Sequence, residues 1–180
     1  RIVVPFDLLR GDPLVLDMDR LVVGDRATAA GGDAEPPTDP RELPALQITV
    51  RNLEVWKRRF GSLQANVVRT TDGLRLDRGT LQGASFEVEG RGAWTWQPSG
   101  SISRVHVEAK SSDVLDTLNA WGFAPSISGK SGTATADFNW GGGPEGDVLA
   151  RLNGTAKVAI DSGQLLTVEP GAGRVLGLMS

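Results

Sequence analysis

Phe86-Glu87-Val88-Glu89-Gly90-Arg91-Gly92-Ala93-Trp94-Thr95-Trp96 is the stretch whose reading decides the fold class. Phe86, Val88, Gly90, Gly92, Trp94 and Trp96 fall on one side of an extended chain, and Glu87, Glu89, Arg91 and Thr95 on the other. Successive side chains of a strand point to opposite faces, so this is a strand of a sheet with one wet face. The flanking segments repeat the pattern. Leu63, Ala65 and Val67 alternate up to Thr71-Asp72-Gly73, where Asp-Gly supplies the positive φ of a tight hairpin and Leu74 and Leu76 begin the return. After Pro98-Ser99-Gly100, Ile102, Val105 and Val107 fit another strand.

Further along, Ala134, Ala136, Phe138 and Trp140 face one way and Thr133, Thr135, Asp137 and Asn139 the other, ahead of a Gly141-Gly142-Gly143-Pro144 turn. The partner strand is read as one long element with Val148, Ala150, Leu152, Gly154, Ala156, Val158 and Ile160 on a single face, spanning roughly 40 Å. Upstream, Leu14, Leu16 and Met18 alternate and Leu21 and Val23 continue out of phase, which predicts a bulge near Arg20. Leu46 to Val55 carries the same pattern with the same slip, a hint of a repeated strand unit. Between the two, Gly24 to Pro44 is rich in Gly and Pro and reads as a flexible loop too long for a hairpin. One helix interrupts the strands near 112–121: Ser112 is the expected cap, Val114, Leu115, Leu118 and Trp121 share a side, and Gly122 suits the left-handed stop.

The expected fold is therefore all-β, a long, mainly antiparallel curved sheet forming a groove or open barrel, without an independent second domain. A short helix of about ten residues cannot cover so many strands, so the apolar face must close on itself or hold an apolar ligand. The candidate lining is Phe86, Val88, Trp94, Trp96, Phe138, Trp140, Val148, Leu152, Val158 and Ile160. The same residues would equally form the core of a closed structural or protein-interaction domain, and alternation does not separate the two. Gly90, Gly92 and Gly154 on that face leave room for a ligand or mark bends.

Composition narrows the chemistry. The formal net charge is −3, with Lys and Arg scattered, which argues against a nucleic-acid surface. Cysteine is absent, so thiol nucleophiles, disulfides and thiolate metal sites are excluded. His106 is the single histidine and its strand phase turns it away from Val105 and Val107. Gly171-x-Gly173-x-x-x-Gly177 departs from dinucleotide-binding spacing, and Gly129-Lys130-Ser131 lacks the earlier glycine and following helix of a phosphate loop. Asp17 and Asp19 share a face but lack further metal ligands, and Asn153-Gly154-Thr155 reads as part of a strand rather than a glycosylation site. No catalytic residue, metal or cofactor is expected.

Two features carry a family resemblance. Val168-Glu169-Pro170 followed by Gly171-Ala172-Gly173-Arg174-Val175-Leu176-Gly177-Leu178 resembles the C-terminal region of the YhdP family, AsmA-like proteins of Gram-negative envelopes. Asp72-Gly73-Leu74, Gly92-Ala93-Trp94, Ser112-Asp113-Val114-Leu115, Trp121-Gly122-Phe123 and Phe138-Asn139-Trp140 fit the same family, from about Leu14 onward. The resemblance implies a β structure like that of bridge-like lipid transfer proteins, whose apolar trough holds phospholipid acyl chains. It also implies a periplasmic stretch of an inner-membrane-anchored protein that moves phospholipid between inner and outer membranes, with both membranes, and envelope protein partners, met through parts outside this sequence. The start at Arg1 without Met and the apolar run up to Ser180 agree with a piece of a longer chain, and a second short helix is expected near 172–178.

Overall fold

In a computed structural model of the chain, residues 2–3, 12–24, 38–124, 126–145 and 147–166 are described. The strands are β1 (Ile2–Val3), β2 (Leu14–Val23), β3 (Leu46–Val55), β4 (Arg58–Thr70), β5 (Gly73–Gln82), β6 (Phe86–Gln97), β7 (Gly100–Ser111), β8 (Ile127–Ser128), β9 (Ser131–Gly141), β10 (Asn153–Asp161) and β11 (Gln164–Leu165). The helix α1 covers Val114–Trp121. Nine strands form one sheet in the order β1-β2-β3-β4-β5-β6-β7-β9-β10, and β8 pairs with β11 in a small second sheet. The large sheet is an open, curved one with β1 and β10 at its edges; every pair in it is antiparallel except β2 with β3. The all-β, groove-like expectation therefore holds.

The parallel pair explains the repeated pattern. Leu14 lies beside Leu46, Leu16 beside Ile48, Met18 beside Val50, Leu21 beside Leu53 and Val23 beside Val55. The two phase slips stand side by side, at Asp19–Arg20 and Arg51–Asn52, so both strands keep apolar residues on one face throughout. Against β4, Arg51 and Asn52 form a bulge between Val50↔Leu63 and Leu53↔Gly61. Asp77–Arg78 bulge out of β5 between Leu76↔Gly92 and Gly79↔Gly90. Such bulges increase local twist and bend the sheet. Parallel pairing also requires the chain to return along the whole strand, about 33 Å, before β3 begins, which is why the connection is long. Of the loop expected over 24–44, residues 25–37 lie outside the described residues, as does the helix expected near 172–178.

Three local expectations change. The β4–β5 turn is Thr71–Asp72, closed by the Thr70↔Gly73 pair, and Gly73, at φ 152°, is the first strand residue after it. A side chain at Gly73 would strike the Trp94 carbonyl oxygen. The cap of α1 is Asp113, whose carboxylate accepts from the Asp116 N–H at 2.9 Å, while the Ser112 hydroxyl donates to the Ser85 carbonyl. Gly122 ends the helix in the left-handed conformation as the sequence predicts.

The third is a correction to the last long strand. β10 begins at Asn153, and Val148 and Leu152 lie outside it, flanking a 3-10 turn at Leu149–Arg151. Polar groups hold that turn in place. The Asp147 carboxylate accepts from the Ala150 N–H, and the Arg151 guanidinium donates to the carbonyls of Gly141, Glu145 and Asp147. An apolar alternation between Val148 and Leu152 is thus overridden by hydrogen bonds that a strand could not make.

Candidate functional site: an apolar trough

Register makes the alternating strands into a single apolar surface. Across β6, β7, β9 and β10 the rows run Val88–Ala109–Ala134–Val158, then Gly90–Val107–Ala136–Ala156, then Gly92–Val105–Phe138–Gly154. The middle row continues through Gly79, Ala65, Ile48 and Leu16 to β2. From Leu16 to Ala156 it crosses eight strands, about 34 Å at the usual inter-strand spacing. From Ala65 to Ala156 that row has only Ala, Gly and Val, whereas the ends of the same strands carry Phe86, Trp94 and Trp140. The cross-section is a low floor between higher walls.

The buried apolar side chains of the strands, Val50, Leu53, Leu74, Phe86, Trp94 and Ala136, all belong to this face. No second sheet covers it among the described residues: the substantial contacts within the sheet are between hydrogen-bonded neighbours, and those of α1 are with β4 and β8. Val88, Val105, Val107, Ala134 and Phe138 are half-buried, and Val158 is 68 % exposed. An apolar face of this size left open to water is unfavourable by itself.

Each wall is built differently. On the side where β6 begins, α1 lies against the sheet ends. The Thr117 hydroxyl donates to the Ser85 carbonyl at 3.0 Å and pairs with the Ser85 and Ser111 hydroxyls, while Trp121 packs on Phe86 and Phe60 with centroids 5.5 and 6.4 Å away. Between helix and sheet lies an apolar cavity of about 310 Å³ lined by residues including Phe86, Val114, Leu118, Trp121, Val158 and Ile160. On the opposite side, Pro40 is buried, the Arg41 guanidinium sits 5.1 Å from the Trp96 ring centre, and Gly143 rests on the Trp94 ring. The Trp140 indole donates to the Gly143 carbonyl and Ser103 to the Gly142 carbonyl, each at 2.8 Å. The Trp94 indole N–H is buried without an acceptor among the described residues. The hydrogen bond from Arg41 holds the Asp39 carboxyl below its ordinary value.

Eight of the ten sequence-derived lining residues, Phe86, Val88, Trp94, Trp96, Phe138, Trp140, Val158 and Ile160, are brought onto this face; Val148 and Leu152 are left in the loop after β9. Phe60, Leu74, Leu81, Val105, Val107 and Trp121 join the face without having been singled out as lining. Strand alternation already pointed to Leu74, Val105 and Val107, and helical spacing to Trp121. Sequence reasoning expected the helix at the edge or mouth of the sheet, but not which strand ends it would pack against.

The outer face is polar among the described residues. His106 sits there, its Nδ1 2.7 Å from Asp137 and its Nε2 3.3 Å from Glu108, and these hydrogen bonds raise its pKa, Asp137 contributing most. The Arg51 guanidinium bridges Asp17 and Asp19 at 3.2 and 2.8 Å, placing a cation between the two carboxylates that sequence inspection weighed as a metal site. Among the described residues no helix is long and apolar enough to cross a membrane.

The YhdP protein family matches residues 5–180. The chain belongs to the YhdP family. It is 22 % identical over 141 residues to the intermembrane phospholipid transporter YhdP of Escherichia coli (strain K12), an alignment covering 78 % of this chain and 11 % of that protein. The chain thus spans about a tenth of the length of the curated relative it matches. No solved structure matches it. The match extends over all eleven strands except β1.

Proposed function

We propose that this chain is one stretch of a lipid-conducting trough in a periplasmic protein that supports phospholipid movement between the inner and outer membranes. The observation that carries this reading is the registered apolar face, with a floor of small residues from Ala65 to Ala156 and no protein layer over it among the described residues. Acyl chains on that floor would remove both their own surface and the sheet's from water, at roughly 0.8 kcal/mol per buried CH₂. Contacts of this kind lack direction, so lipids differing in chain length could occupy the same floor and slide along it, while head groups stay in water beyond the walls. The name of the Escherichia coli relative, an intermembrane phospholipid transporter, supports the same substrate class. The chain acts here as a binding surface, with no chemical step assigned to it.

A closed-core domain would instead cover the apolar side of the sheet, where Val158 on the edge strand β10 is 68 % exposed. The decisive experiment is photo-crosslinking in cells from position 94 or 138 of the whole protein. Adducts with phospholipid are expected; adducts confined to neighbouring protein segments would overturn the reading.

A further inference from the structure

The β3–β4 hairpin turns on Trp56 and Lys57, with φ 48° and 65°. Two positive φ values in a two-residue loop define the turn that Asn-Gly normally fills, and bulky residues are disfavoured there. Trp56 gains no packing in return, for it is 59 % exposed. The Trp56 N–H donates to the Val23 carbonyl, so the fold uses the backbone of the turn, but not the indole; a bulky side chain kept at a strained, exposed position points to a role outside the fold. The turn also begins a run of three cations, Lys57, Arg58 and Arg59, none of which has a carboxylate partner among the described residues. In a chain of net charge −3 this is a local positive site.

The position of Arg58 relates that charge to the trough. It pairs in register with Val55 on the apolar face, and its guanidinium fills the space into which a side chain at Gly122 would project, at the C-terminal end of α1. Phe60, two residues on, touches both Phe86 and Trp121. An unpaired guanidinium therefore stands at the wall of the trough, immediately beside its aromatic end. Arginine and lysine at such a boundary suit the phosphate of a lipid, and tryptophan suits the interface between head group and chain.

We propose that Trp56, Lys57 and Arg58 form a phosphate-binding rim for a phospholipid whose acyl chains lie on the apolar face beside Phe60 and Trp121, an assignment that rests on the trough reading. The test uses the full-length protein with a photo-reactive group at position 60, given equimolar dioctanoyl phosphatidylglycerol and dioctanoylglycerol, with adducts quantified by mass spectrometry. The phosphate-bearing lipid should predominate. K57Q with R58Q should lower its yield about five-fold for each cation removed while leaving the diacylglycerol adduct unchanged, and R58K should retain most of the signal. Equal capture of both lipids, unaffected by K57Q and R58Q, would overturn the rim and leave the trough standing. Capture of neither lipid would overturn the trough itself. Loss of the preference in millimolar inorganic phosphate would assign the turn to a free anion. Capture from phosphatidylglycerol vesicles by a probe at position 56, with none of the short-chain lipid, would assign it to a membrane surface; either result overturns the proposal.

Discussion

The Phe86 ring of the sheet meets the Trp121 ring of the helix edge to face, with centroids 5.5 Å apart and planes at 86°. With the contact to Phe60 it holds the last turn of α1 to the wall of the trough, whereas the hydrogen bonds from Ser112 and Thr117 act before that turn. Trp121→Ala removes this contact and the one to Phe60. At about 0.5–1.5 kcal/mol for each ring pair beyond burial, we expect local opening of α1 to become easier by about 2 kcal/mol. Faster amide exchange over Leu118–Trp121, without a matching change in β6, is the expected readout.

The other end of the helix depends on Asp113. Asp113→Ala leaves the Asp116 N–H without its cap and should cost about 1 kcal/mol. Ser112→Ala should leave that N–H bonded. Amide exchange at Asp116 in the two variants distinguishes the cap seen in the structure from the one that sequence spacing suggested.

Gly61, at φ 86°, lies where a side chain would strike the Gln82 carbonyl. Gly61→Ala therefore combines an unfavourable backbone conformation with a clash inside the β4–β5 pair. A loss of about 2 kcal/mol or more is expected, seen as a lower Tm.

Val158 separates a trough from a closed core. Being 68 % exposed, it contributes little by burial, so Val158→Asp should cost about 1 kcal/mol, the strand-propensity difference between the two residues. On an acyl-bearing floor the same charge is costly to desolvate. Phospholipid adducts formed by a photo-reactive group at position 138 of the full-length protein, counted by mass spectrometry, should fall while the melting curve shifts only slightly.

His106 gives a pH signature on the outer face. Its pKa lies above the ordinary 6.5 because Asp137 and then Glu108 accept from the imidazolium, with Arg91 opposing. A pKa raised by folding contributes stability that is fully present below about pH 6.5 and is lost as pH rises through the folded value. As the single histidine in this sequence, its ring resonance can be followed by NMR in the isolated chain. The midpoint should exceed 6.5, and Asp137→Asn should bring it down.

What the sequence alone determined was local. Alternation from Phe86 to Trp96 and from Ala134 to Trp140, and Gly122 after an amphipathic turn, report side-chain direction and backbone freedom, which neighbouring residues set. Alternation failed where other hydrogen bonds took over: Asp147 and Arg151, bonding to groups close by in the chain, folded Val148–Leu152 out of the strand, and Ser112 was drawn to the distant Ser85 carbonyl, which left the cap to Asp113. Tertiary structure alone decided that β2 and β3 lie parallel with their slips aligned, that α1 packs at one wall, and that Ala65, Gly79, Gly90, Val107, Ala136 and Ala156 fall into one row. Register is a pairing between segments far apart in the chain, fixed by closing many hydrogen bonds together, and no single strand contains it. The apolar residues are therefore legible one strand at a time, but the floor they form exists only once the strands are side by side.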